Sequence, residues 1–229
     1  MGTLFVVATP IGNLEDLTYR AARTLSEVDL IAAEDTRQTK ILLRKYNIQT
    51  PLTSYHKFNI REKTDQLVAQ LKAGSNLALV SDSGTPGISD PGAELIRAAG
   101  EQGIRVEPIP GPTAAIAALA VSGLSTEEFT FVGFLPKKPG RKARKIKELT
   151  DSPRTIIIYE SPFRLLKTLQ AIGEIDGERQ VAVCRELTKK FEEIIRGPVS
   201  EVIAKLKERR IKGEIVLVIS GQGSQRERN

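Results

Sequence analysis

The chain has 229 residues, 40% of them apolar, with one cysteine, one histidine and no tryptophan, and it carries a formal net charge of +6. A lone cysteine, Cys184, excludes an internal disulfide, one histidine with one cysteine argues against a structural zinc site, and no apolar run is long enough to span a membrane. The N-terminus lacks the basic start and small-residue cleavage site of a signal peptide, so a reducing, cytoplasmic setting is expected and no metal is assigned.

Apolar runs alternate with amphipathic stretches along the chain. Residues 3–8 read as a strand, 17–28 as a helix, 30–33 as a strand, and 35–46 as a helix with its N-cap at Asp35 or Thr36. Strands follow at 51–54, 77–80 and 105–108, with helices at 60–71, 93–99 and 113–121. This βαβα rhythm predicts an α/β fold with a largely parallel sheet. The second half reads as strands at 129–134, 155–159, 180–184 and 214–220, with helices at 141–149, 163–172 and 199–209. A boundary near residue 115 gives an N-terminal domain over 1–115 and a C-terminal domain over 116–221. The polar tail 222–229 is expected to fray.

Three loops rich in proline and glycine follow strands in the first half, at 8–16, 81–91 and 108–115. Parallel strands would put all three on one sheet edge, where open α/β sheets bind ligands. Proline and glycine also punctuate ordinary turns, so the argument rests on the three loops together. The familiar cradles are missing: there is no G-x-x-x-x-G-K-[ST], no G-x-G-x-x-G after the first strand and no G-x-S-x-G. Asp82 stands just past a strand end, where a carboxylate either accepts hydrogen bonds from a ligand or closes an Asx turn. Glu34 to Arg37 follow the second strand, where acids also suit a helix start. Tyr55 and His56 end the third strand and can stack on or hydrogen-bond a base, or form an exposed turn. Lys137, Lys138, Arg141, Lys142, Arg144, Lys145 and Lys147 form a run without an acid, and Lys205, Lys207, Arg209, Arg210 and Lys212 form a second cluster. Charge so concentrated points to RNA or DNA, or to a solvated helix face.

The motifs Thr9-Pro-Ile-Gly-Asn-Leu14, Ala33-Glu-Asp-Thr-Arg37, Ser81-Asp-Ser-Gly-Thr-Pro-Gly-Ile-Ser-Asp-Pro-Gly92 and Pro110-Gly-Pro-Thr-Ala114 resemble the tetrapyrrole methylase-like superfamily. Within it they are similar to the small-subunit ribosomal RNA methyltransferases, and Gly133-Phe-Leu-Pro136, Tyr159-Glu-Ser-Pro162 and Arg185-Glu-Leu-Thr-Lys189 extend the likeness to about residue 221. The resemblance implies two α/β domains with S-adenosylmethionine in a cleft between them, in a homodimer. It implies methyl transfer to the ribose 2′-hydroxyl of a cytidine in the decoding region of small-subunit (16S) ribosomal RNA, as naked RNA or assembled 30S subunit. Carried over onto this chain, cofactor contacts fall on Asp82, Gly84, Thr85, Thr113 and Ala114, and in the second half on Tyr159, Leu187 and Gly213.

A ribose hydroxyl needs a proton acceptor, for which Glu34, Asp35 and His56 are the candidates, and the sequence does not choose among them. RNA contacts are assigned to Thr9, Pro10, Asn13, Arg37, Lys142, Arg144, Lys145 and Lys189. Phe163 departs from the pattern, since a histidine usually follows Glu-Ser-Pro, and a packing or stacking role is expected for it. Two alternatives stay open: C-methylation of a tetrapyrrole, and a non-catalytic RNA-binding assembly protein.

Overall fold

Leu77, Ala78, Leu79 and Val80 are all buried, as a strand covered on both faces requires. They form β4 (Leu77–Val80) in a computed structural model that describes residues 1–223; residues 224–229 of the expected tail lie outside the described residues. Around it stand β1 (Thr3–Val7), β2 (Leu30–Ala33), β3 (Leu52–Ser54) and β5 (Arg105–Ile109), in the order β3-β2-β4-β1-β5. All four pairings are parallel, as the alternating rhythm predicts.

Helices α1 (Tyr19–Glu27) and α2 (Thr36–Lys45) cover one face through Ala21, Leu25, Leu42 and Leu43. The other face is covered by α3 (Ile60–Lys72) and α4 (Ala93–Glu101) through Leu67, Leu71, Leu95 and Ala99. The chain leaves β1 for α1 on one face and leaves the adjacent β4 for α4 on the opposite face. Adjacent strands that diverge in this way open a crevice at their carboxyl ends.

Contacts divide the chain into two compact units, Met1–Thr113 and the residues from Ala114 onward. The second unit has its own five-stranded sheet, in the order β6 (Phe129–Phe134), β7 (Thr155–Glu160), β10 (Ile215–Ile219), β8 (Gln180–Arg185) and β9 (Glu193–Pro198). Only β6 and β7 are parallel; the other three pairings are antiparallel. Three helices, α6 (Pro139–Thr150), α7 (Pro162–Gly173) and α8 (Val199–Leu206), bury Ile146, Leu165, Leu169, Val202 and Leu206 against Ile158, Val183 and Leu217. On the other face α5 (Ala114–Ser122) packs against β7, β8 and β10, and the Ala118 carbonyl lies 3.9 Å from the sealed Cys184 sulfur. Burial pushes that thiol up to about 11.

β9 is the strand that sequence periodicity misses. It lies at the sheet edge, paired on one side only, so it tolerates Glu193, Arg196 and a Gly-Pro end. Helix α8 also stops at Leu206, three residues before its expected end. Among the described residues no helix is long and apolar enough to cross a membrane.

Leu79 is 1% exposed in the first core. Leu79→Ala should lower the unfolding free energy by about 2–5 kcal/mol, read as a shift of the urea midpoint.

Candidate functional site

In the first unit the loops after β1, β4 and β5 meet at one edge of the sheet. Thr9 and Gly84 form an isolated bridge, with the Thr9 amide donating to the Gly84 carbonyl (2.9 Å) and the Gly84 amide to the Thr9 carbonyl (3.0 Å). The Thr9 hydroxyl donates to the Ser81 carbonyl at 3.2 Å. From the third loop, Gly111 lies so near Ala8 that a Cβ there would come within 3.0 Å of the alanine methyl. A fourth loop joins at β2, where the Asp35 amide donates to Asp82 Oδ1 at 2.8 Å. The 81–92 loop holds Gly84, Gly87, Gly92 and even Ser89 at positive φ. Such a turn is strained for side chains and leaves backbone open to a ligand.

This rim is acidic. Burial, followed by the nearby charges of Asp82 and Asp90, raises the Glu34 carboxyl above its ordinary value. Burial and Asp82 likewise raise Asp90. Asp90 stands in the same quoted motif as Asp82, and the sequence reading assigned it no role. Asp35 behaves oppositely: hydrogen bonds from the Arg37 side chain (2.6 and 3.0 Å) and the Arg37 amide (2.8 Å) hold it down to about 2. It is the N-cap of α2, and an acid so stabilised is a poor proton acceptor. His56 has its Nδ1 buried with no hydrogen-bond partner among the described residues. Tyr55 is core, 1% exposed with its hydroxyl 3.0 Å from Thr64 Oγ1, so it is not a stacking surface.

The second unit also gathers three expected residues at one sheet edge. Tyr159 is next to last in β7, Leu187 follows β8 and Gly213 precedes the antiparallel β10. The Glu186 amide donates to the Glu214 carbonyl and the Glu214 amide to Glu186 Oε1, both at 2.9 Å. Gly213 takes a φ of +90°, which favours glycine, and a Cβ there would also displace the Glu186 side chain. Glu186 and Thr188 both take positive φ, and the Thr188 hydroxyl is buried without a partner among the described residues.

A profile of the tetrapyrrole (corrin/porphyrin) methylases matches residues 3–203. The chain belongs to that family. It is 54% identical over 96% of its length to a protein of Synechocystis sp. named ribosomal RNA small subunit methyltransferase I, covering 80% of that protein. A protein of the same name from Bacillus subtilis is 51% identical over 98% of the chain and 77% of that protein. Its fold is similar to that of uroporphyrin-III C-methyltransferase from Thermus thermophilus, solved with S-adenosylhomocysteine. The TM-score is 0.67 at 18% identity, covering 98% of this chain and 99% of that one.

The loop rim of the first unit offers groups that could hold S-adenosylmethionine. Glycines Gly84 and Gly92 hold conformations at which a side chain would be strained, and the exposed Asp82 keeps Oδ2 without a partner among the described residues. Thr85 lies on the same loop; Thr113 ends the first unit and Ala114 begins α5.

Three of the expected RNA contacts, Thr9, Pro10 and Lys142, support the structure internally. Thr9 and Pro10 are buried, and Asn13 Oδ1 accepts from the Glu15 amide at 3.1 Å to cap a short 3-10 turn. Arg37 pairs with Asp35 while its side chain stays 88% exposed, and Lys189 pairs with Glu186 (3.0 Å) and Glu214 (2.9 Å). Lys142 donates to Thr168 Oγ1 at 2.6 Å and lies 3.6 Å from the wholly buried Glu160 side chain, which Arg164 also pairs at 3.2 Å. Desolvation lowers the Lys142 ammonium despite Glu160. Lys145 is paired with Glu148. Arg144 is exposed, as are Lys137, Lys138, Arg141 and Lys147, and none of these holds an ion pair among the described residues. Phe163 is 88% exposed, which removes packing within this chain as its role.

Lys142→Glu should therefore set two carboxylates together in a nearly dry site and cost about 3–5 kcal/mol of unfolding free energy. Arg144→Glu, on the exposed face, should stay within about 0.5 kcal/mol of the parent in the same urea titration.

Proposed function

We propose that this chain uses S-adenosylmethionine to methylate small-subunit ribosomal RNA, at the ribose 2′-hydroxyl of a cytidine in the decoding region. The naming of relatives about half identical over nearly the whole chain supports the RNA substrate. The observation that carries the chemistry is the loop rim at the carboxyl edge of the first sheet, locked by the Thr9–Gly84 bridge. A cytoplasmic homodimer belongs to the same proposal.

S-adenosylmethionine, when bound, supplies a methyl on a positively charged sulfur that leaves readily. The protein's part is to align the acceptor oxygen, exclude water and take the hydroxyl proton. Of the three acceptor candidates, Glu34 is the one we assign. The Asp35 carboxylate is held by Arg37, while the His56 Nδ1 is enclosed. Glu34 is half-buried, and its raised affinity for a proton suits a base better than an ordinary surface carboxylate would. Asp82 positions the Asp35 amide with one oxygen and offers the other to a ligand hydroxyl or ammonium. Exposed cations of α6 would hold phosphates, giving salt-dependent affinity.

Incubation with labelled methyl donor should transfer label to small subunits or their RNA and none to uroporphyrinogen; the reverse pattern would return the chain to tetrapyrrole chemistry. Asp82→Ala should weaken donor binding at least about tenfold by calorimetry, the loss of one charge-assisted hydrogen bond.

A base must be unprotonated to act, and Glu34 binds its proton more tightly than a free glutamate. The rate should therefore fall as pH drops into the range just above the ordinary carboxylate value. Glu34→Gln should lower kcat by about 10²-fold or more and abolish that acid limb, with donor affinity kept. An unchanged pH profile in this variant would transfer the role to another group.

A further inference from the structure

A cavity of about 200 Å³ lies in the second unit where β8, β9 and the segment between α8 and β10 meet. Its floor is apolar, built from Leu165, Val183, Ile195 and Leu206. Its rim carries four cations, Arg185, Arg209, Arg210 and Lys212, against a single carboxylate, Glu193. That carboxylate is shared: Arg209 grips both oxygens (2.9 and 2.8 Å) and Arg185 donates to one of them at 3.2 Å. Arg210 and Lys212 are exposed and hold no ion pair among the described residues. Phe191 completes the wall, 64% exposed, with the Lys190 ammonium 5.7 Å from its ring centre.

We propose that this cavity receives one unstacked base of single-stranded RNA, with the neighbouring phosphates held by Arg210 and Lys212. The inference rests on the ribosomal RNA reading and adds to it a subsite in the second unit. Each part matches that ligand. Bases stack on solvent-open aromatic faces whatever their sequence. The excess of cations around it is complementary to a sugar–phosphate strand. The cavity is smaller than the roughly 300–1,000 Å³ that encloses a drug-sized ligand, which suits a single ring system with its backbone left outside. The Arg185–Glu193–Arg209 cluster fixes the rim, so the site is preformed rather than assembled on contact.

The test is fluorescence anisotropy of a labelled, unstructured pyrimidine oligoribonucleotide titrated with the whole chain at several salt concentrations. Phe191→Ala should weaken binding about tenfold, the lower part of what one base–aromatic stack contributes, and Phe191→Tyr should restore it. Replacing Arg210 and Lys212 together by alanine should reduce the slope of log affinity against log salt by about 1.4, two phosphates' worth on a single strand. Affinity for S-adenosylmethionine should be unchanged in all three, which separates a lost RNA contact from a damaged fold. Parent-like RNA affinity and salt slope in both the alanine variants would overturn the subsite. So would a change in sedimentation with RNA affinity intact, which would make the cavity a contact between copies of the chain. If the parent chain bound no RNA at any salt, the ribosomal RNA reading itself would fall, a result distinct from parent binding that the variants leave untouched.

Discussion

The paired hydrogen bonds between Thr9 and Gly84 are the constraint on which the first unit's site depends. Two adjacent strands end there, and their chains part toward opposite faces of the sheet. Without a link, each loop would have to satisfy its own backbone groups in water and would be free to move. The bridge, antiparallel where the sheet is parallel, ties the two loops together past the strand ends, and the Asp82 side chain, accepting from the Asp35 amide, ties in the loop after β2. Loop positions that would otherwise be soft thus inherit the rigidity of the strands.

Much of this was legible in the sequence. Alternation of apolar and amphipathic segments located nine of the ten strands among the described residues to within a residue or two, and the loops rich in glycine and proline marked the edge where they gather. What the sequence could not display was who pairs with whom. Asp35 and Arg37 read as two independent charges until their mutual hydrogen bonds are seen. Lys142 is more instructive, because its place was readable in principle. It precedes Ile146 by four residues and Leu149 by seven, so helical periodicity puts it on the buried stripe, but its charge drew the eye to the neighbouring cations instead. β9 escaped notice for a different reason: an edge strand needs no continuous apolar run, and a Gly-Pro end disguises it as a turn.

The acidic rim also has a thermodynamic side. Glu34 and Asp90 both bind protons more tightly in the folded chain than they would when unfolded. Linkage then requires that the cluster weaken the fold at neutral pH and that this cost be relieved as acid protonates it. Carboxylates that repel one another are poor structural elements, and their retention at a strand-end crevice fits a place where charge is used for chemistry. The second unit shows the opposite arrangement, with the buried Glu160 surrounded by Lys142, Arg164 and Thr168 and so committed to holding helices on a sheet.

The sealed sulfur of Cys184 has a practical corollary. It sits on β8, one strand in from the edge of the second sheet and beneath α5, and the first unit contains no cysteine. A thiol-trapping reagent added to the native protein can react only when that sheet parts from its helix, so the labelling rate becomes a clock for one unit's opening. The chain carries, at a single natural position, a probe that hears the second unit breathe and is deaf to the first.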